Sequence, residues 1–170
     1  MSALRIVVVT VLACVLAGCG FHPLYGDYGG SVKVGGSLKS IYVEPIPDRL
    51  GYELRNTLID LLDSSGRASG AAYRLQITLA QKSEGIALQN DATITRYNDT
   101  LDVTYELTST KTGQVVTKGT ESGLSAYNVV TSPYATFAAR QDADTRAAAD
   151  IAERIRIDLA LYFRQGATAK

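Results

Sequence analysis

Leu101-Asp102-Val103-Thr104-Tyr105-Glu106-Leu107-Thr108 decides the architecture. Apolar residues at 101, 103, 105 and 107 alternate with polar ones at 102, 104, 106 and 108. A period of two buries one face of a strand and wets the other. Tyr73-Arg74-Leu75-Gln76-Ile77-Thr78-Leu79 repeats the pattern upstream, and Val115-Val116 opens a third run downstream. Strands with one dry and one wet face belong in an antiparallel sheet. Between the last two lies Lys111-Thr112-Gly113, a short link with Gly where left-handed backbone is wanted. That is a hairpin signal, its register open by one residue.

The dry face needs a cover, and two helical patterns supply it. Ser40 to Glu44 reads as a short first strand stopped by Pro45 and Pro47. Asp48 is placed to cap a helix over Arg49 to Asp63, whose Leu50, Leu54, Leu58, Leu61 and Leu62 recur at helical spacing until Ser64-Ser65-Gly66. Ser132-Pro133 opens a long helix from Pro133 to Arg164, with Ser as cap and Pro at the first position. Ala143, Ala147, Ile151, Ile155 and Leu159 form its buried stripe, widened by Ala148, Ala152, Tyr162 and Phe163. The first half of the stripe is mostly Ala, with Arg140 and Asp144 close to its centre line. That half is expected to pack lightly or to face something outside the domain. The expected fold is α+β: one domain over 38–165, about four mainly antiparallel strands, two helices on one face, in the order β-α-β-β-β-α. Residues 166–170 read as a disordered tail.

The N-terminus is an export signal. Arg5 precedes an uncharged run, Ile6 to Ala17, which at roughly a dozen residues falls short of the roughly twenty needed to span a bilayer. It ends in Leu16-Ala17-Gly18-Cys19, a sequence resembling the lipobox of bacterial lipoproteins. The expectation is removal of 1–18, a diacylglyceryl group on the Cys19 thiol and an N-acyl chain, with no other cofactor. Cleavage also discards Cys14, so the mature chain of about 152 residues has neither a disulfide nor a cysteine metal site. It must be held by its own core, for which that length is ample. Residues 19–37 read as a Gly-rich tether, with Gly26, Gly29, Gly30, Gly35 and Gly36 loosening it. Its Phe21, Tyr25 and Tyr28 suit a membrane interface, a partner or simple packing on the domain. Gly20 follows Cys19 where an inner-membrane retention signal would place Asp, so the outer membrane is expected, with the domain facing the periplasm.

Catalytic chemistry is missing. The mature chain has one histidine, His22, in the tether, and catalytic groups need rigid support. No nucleophile elbow, phosphate loop or spaced metal-ligand set occurs. Helical carboxylates read as solvated charges, with Arg146 four residues after Asp142 and Arg154 four after Asp150. Lys+Arg and Asp+Glu balance at 17 each, so no basic field points to nucleic acid. The chain reads as a non-enzyme.

Four segments carry a resemblance: Cys19-Gly20-Phe21-His22-Pro23-Leu24-Tyr25-Gly26, Thr95-Arg96-Tyr97, Thr112-Gly113-Gln114-Val115-Val116, and Ser125-Ala126-Tyr127 leading to Ser132-Pro133-Tyr134-Ala135. In order and spacing the chain resembles the lipopolysaccharide-assembly lipoprotein family (LptE-like), in its alphaproteobacterial form. His22 stands where that family more often carries Arg. The resemblance implies a four-stranded sheet crossed by two helices. It also implies a function: plugging the outer-membrane β-barrel that translocates lipopolysaccharide, helping that barrel assemble, and assisting delivery of lipopolysaccharide to the outer leaflet. The alternative is a lipid-anchored scaffold or pilotin-like factor for another envelope complex, without glycolipid binding. Lipid A phosphates are best met by the planar donors of Arg. Arg96, at the entry to a strand, and Arg140, on the Ala-lined stripe, are the candidate ligands. Their structural alternatives are a solvated edge charge for Arg96 and an ion pair with Asp144 for Arg140.

Overall fold

The computed structural model describes residues 31–88 and 94–168. The signal segment, Cys19, His22 and the first part of the tether lie outside the described residues. Seven elements follow in order: α1 (Ser31–Lys39), β1 (Ile41–Val43), α2 (Asp48–Leu61), β2 (Tyr73–Leu88), β3 (Ile94–Ser109), β4 (Val115–Asn128) and α3 (Pro133–Thr168). The strands form one sheet in the order β1-β2-β3-β4. β2, β3 and β4 are antiparallel, while β1 lies parallel to β2, so the sheet is mixed.

The alternation that predicts β3 sets the layers. Leu101, Val103, Tyr105 and Leu107 are buried against the helices, and Asp102 and Thr104 between them are exposed. Leu54 and Leu58 of α2, Leu62 just after it, and Ile151, Ile155 and Leu159 of α3 complete the core. At most 1% of each is exposed, and truncating any one to Ala would cost about 2–5 kcal/mol. The sheet's other face, carrying Gln76, Thr78, Asp102, Thr104, Lys118, Thr120 and Ser122, is exposed.

The sequence expectations are corrected in four places. First, α1 occupies the last part of the expected tether. Gly35 and Gly36 argue against a helix, but Val34 and Leu38 stand one turn apart and pack on the core, so burial overrides propensity. Second, Asp48 does not cap α2: the cap position falls on Pro47, which makes no side-chain bond, and Asp48 itself holds φ 67°. Third, α2 ends at Leu61. Asp63, at φ 50°, takes the left-handed position usually given to Gly, with Asp63 N–H donating to Asp60 O and Ser64 N–H to Ile59 O, both at 3.1 Å. Fourth, α3 continues past Arg164 to Thr168, into the expected tail. Its start is as expected: Ser132 Oγ accepts from the Ala135 N–H at 3.4 Å. The β3–β4 turn also matches, with Gly113 at φ 68° and a register shift between Leu107 and Thr108.

Strands β2 and β3 extend well beyond their alternating runs. From Lys82 to Ile86 both faces of β2 are exposed. Backbone pairing with β3 continues there without a buried face to impose a period.

Candidate functional site

The core changes character where α3 begins. Ala143, Ala147 and Ala148 are buried but small, and Asp144 among them joins a polar cluster with the sheet. Asp99 of β3 is 1% exposed and Asp144 of α3 is 6% exposed. Gln81 of β2 bridges them, its Nε2 donating to Asp99 Oδ2 at 3.1 Å and to Asp144 Oδ1 at 2.9 Å. Arg140 Nε stands 3.6 Å from Asp99 Oδ2 and 4.0 Å from Asp144 Oδ2. From α2, Arg49 Nη2 reaches Asp144 Oδ2 at 3.6 Å and also pairs with Glu53, whose other oxygen accepts from Thr145 Oγ1 at 2.8 Å. Asp99 Oδ1 is buried with no hydrogen-bond partner among the described residues.

Asp144 shares Gln81 and Arg140 with a second buried carboxylate, Asp99. Burial first, and Asp99 second, hold the Asp144 carboxyl above its ordinary range, against Arg140, Arg49 and the Gln81 bond. A raised carboxyl pKa contributes stability that is full below the unfolded value of about 4 and is lost as pH rises through the folded value. Asp144→Asn removes that penalty while keeping an acceptor for Gln81. We expect it to melt with wild type near pH 3.5 and above it at pH 7. Parallel thermal melts at the two pH values check this; a lower melting temperature at pH 7 would contradict it.

A second polar group anchors the middle of α3. Tyr105 Oη donates to Asp158 Oδ2 at 2.9 Å, and Arg154 Nη1 donates to Ser122 O at 2.9 Å and stands 3.7 Å from Glu121 Oε2. Burial, then the bond to Asp158, pushes the Tyr105 phenol far up. Burial and then Asp158 raise Glu121, against Arg154. Arg154 thus serves β4 and not Asp150, which corrects the helical pairing expected from spacing, whereas Arg146 does pair with Asp142.

Arg96 and Arg140 do not come together. Arg96 is exposed, lies opposite Asn128 on β4, and makes no ion pair among the described residues. By strand alternation it belongs to the uncovered face, with Asn98 and Thr100. Arg140 lies on the helix side, paired with Asp99 and Asp144, and half its side chain is exposed. Asp99 and Gln81 did not stand out in the sequence. The available signal was Asp99 itself, an acid in the inward register of β3, two residues before Leu101. Among the described residues no cluster of three or more His, Cys, Asp or Glu is placed to hold a metal ion, and no helix is long and apolar enough to cross a membrane.

The LptE family model, described as lipopolysaccharide-assembly, matches residues 38–159, from the end of α1 through most of α3. The chain belongs to that family. A candidate lipoprotein of Caulobacter crescentus CB15 has a similar crystal structure, with a TM-score of 0.64 at 32% identity over 78% of this chain and 96% of that one. An uncharacterised protein of Rickettsia prowazekii (strain Madrid E) is 27% identical over 153 residues, 90% of this chain and 94% of its own. The rare lipoprotein B of Shewanella oneidensis shares the fold, with a TM-score of 0.53 at 13% identity over 71% of this chain and 91% of that one. As an LptE-family member, the chain is an envelope lipoprotein of lipopolysaccharide assembly and not an enzyme. Its buried acids are therefore structural: they fix α3 on the sheet.

Proposed function

We propose that this LptE-family chain is anchored in the outer membrane through acylated Cys19, faces the periplasm, and sits inside the β-barrel that translocates lipopolysaccharide. There it helps the barrel assemble and assists delivery of lipopolysaccharide to the outer leaflet. Family membership supports the reading, and the observation that carries it is the uncovered face of the sheet. Gln76, Thr78, Asn98, Thr100, Asp102, Thr104, Thr120 and Ser122 lie on that face. Several satisfy one another: Ser122 Oγ donates to Asp102 Oδ1 at 2.7 Å, and the Thr104 and Thr120 hydroxyls lie 3.4 Å apart. A broad, mostly polar face, interrupted by the exposed Leu124 opposite Thr100, suits the polar, wet interior of a barrel. Arg96 on this face is the proposed contact for a lipid A phosphate, because its charge is not spent on an internal acid. Arg140 is the weaker contact, since its charge also serves Asp99 and Asp144.

A clean deletion tests the reading. Correctly assembled translocon barrel should fall several-fold, and the cells should become sensitive to large or hydrophobic antibiotics. Unchanged barrel levels with an intact permeability barrier would overturn it.

A further inference from the structure

The way α3 is held changes at Ala147 and Ala148. Beyond them Ile151, Ile155 and Leu159 are fully buried in the core. β4 comes close under the join, where a Cβ on Gly123 would lie 2.9 Å from Ile151 Cδ1 and 3.7 Å from the Ala147 carbonyl oxygen. Before the join the buried side chains of α3 are Ala143 and Asp144, while Tyr134 and Phe137 are exposed.

Hydrogen bonds and ion pairs tie this first part to the rest of the domain. Asp144 accepts from Gln81 of β2 and faces Arg49 of α2, Arg140 faces Asp99 of β3, and Thr145 Oγ1 donates to Glu53 of α2. Just ahead of the helix, the Val129 N–H donates to Thr95 O at 2.9 Å. The Arg146–Asp142 pair and the Thr136–Val130 bonds lie within the segment and bind it to nothing else. Polar contacts of this kind exchange for water at small net cost, whereas Ile151, Ile155 and Leu159 cannot leave the core without wetting hydrocarbon. The closed arrangement also carries a defect. Asp99 Oδ1 is buried with no hydrogen-bond partner among the described residues, and lifting Asp144 and Arg140 away would let water reach it.

We propose that residues 133–146 form a strap that lifts off the start of β3 and the end of β4 as a unit, hinged at Ala147 and Ala148, while the rest of α3 stays on the sheet. Release breaks the Asp144, Arg140 and Thr145 contacts together, and a freed segment of about fourteen residues is marginal as a helix in water. Such openings cost less than unfolding the whole domain. The strap goes beyond the barrel reading and stands without any ligand.

Its closure depends on protons. Facing Asp144 are Arg140 on its own helix, Arg49 of α2 with its partner Glu53, Asp99 of β3, Tyr127 of β4 and the uncharged Gln81 of β2. Burial first, and Asp99 second, favour the neutral Asp144 carboxyl in the closed strap. Opening returns that carboxyl to water. The strap therefore holds best below the unfolded value of about 4 and loosens as pH rises through the value in the closed state.

Hydrogen–deuterium exchange of the full mature chain, made without acyl groups by Cys19→Ser, tests this, with rates corrected for intrinsic exchange at each pH. At pH 7 amides in 137–146 should be at least ten-fold less protected than those in 151–163. Asp144→Asn should raise protection in 137–146 several-fold at pH 7. From pH 5 to pH 8 protection there should fall several-fold in wild type and stay level in Asp144→Asn. Ile155→Val, a mild change in the part that stays down, should lower protection in 151–163 several-fold and leave 137–146 unchanged. Equal protection of the two parts, or an equal loss in both from Ile155→Val, would show that α3 opens only with the whole domain and would overturn the proposal. Fast exchange in 137–146 that ignores both Asp144→Asn and pH would be ordinary fraying of a helix end, and would overturn it as well.

Discussion

Gly119→Ala is expected to destabilise the domain by about 2–4 kcal/mol, although it adds one methyl group to an edge strand. Gly119 stands directly opposite Tyr105 in the β3–β4 register, on the face that meets α3. A Cβ there would lie 2.5 Å from Tyr105 Oη, 2.6 Å from Cζ and 2.8 Å from Cε1. These atoms belong to a stiff ring that is 3% exposed, so they cannot swing aside as the end of an aliphatic chain would. Either β4 backs away from β3, or the ring moves and its bond to Asp158 breaks. The second outcome leaves the half-buried Asp158 without its phenol donor next to Glu121, at the cost of a charge-assisted hydrogen bond. Urea unfolding at pH 7 measures the effect. A loss below about 0.5 kcal/mol, the range of ordinary surface changes, would show that the Tyr105 site has slack.

Cys19→Ser should abolish acyl anchoring. Each acyl chain contributes about 0.8 kcal/mol per buried CH₂, so two chains hold the protein effectively permanently where a single chain binds reversibly. None of the described helices is long and apolar enough to span a bilayer. The expected result is loss of palmitate labelling, with the protein either soluble in the periplasm or held as unprocessed precursor. Wild-type labelling and fractionation of Cys19→Ser would mean that the anchor lies elsewhere.

What the sequence reveals of this molecule follows from where burial imposes a period. Leu101 to Leu107 and the Leu50 to Leu62 run are legible because one side of each faces the core. Lys82 to Ile86 is not, because that end of β2 is wet on both faces and continues by backbone pairing with β3. The helix over Ser31–Lys39 is hidden for a related reason: two apolar positions flank a Gly pair, and only the finished core shows that Val34 and Leu38 have somewhere to go. The light packing of early α3 is announced by Arg140 and Asp144 on an Ala stripe, but the partner is not. Asp99 and Gln81 lie 45 and 63 residues from Asp144 in sequence, and no local pattern links groups so far apart. The parallel placement of β1 is likewise tertiary, since its pairing with β2 crosses α2.

The claim that this chain works inside a lipopolysaccharide-translocating barrel is tested most directly by what it holds in its own membrane. A C-terminally tagged, wild-type copy expressed at its natural level would be recovered from outer membranes in mild detergent, and the co-purified proteins and glycolipid identified by mass spectrometry. A single large β-barrel protein, recovered in near-equal amount and carrying lipopolysaccharide, is the predicted result. Recovery of a secretin or a peptidoglycan enzyme in its place, without lipopolysaccharide, would contradict the account and make the chain a scaffold for another envelope complex.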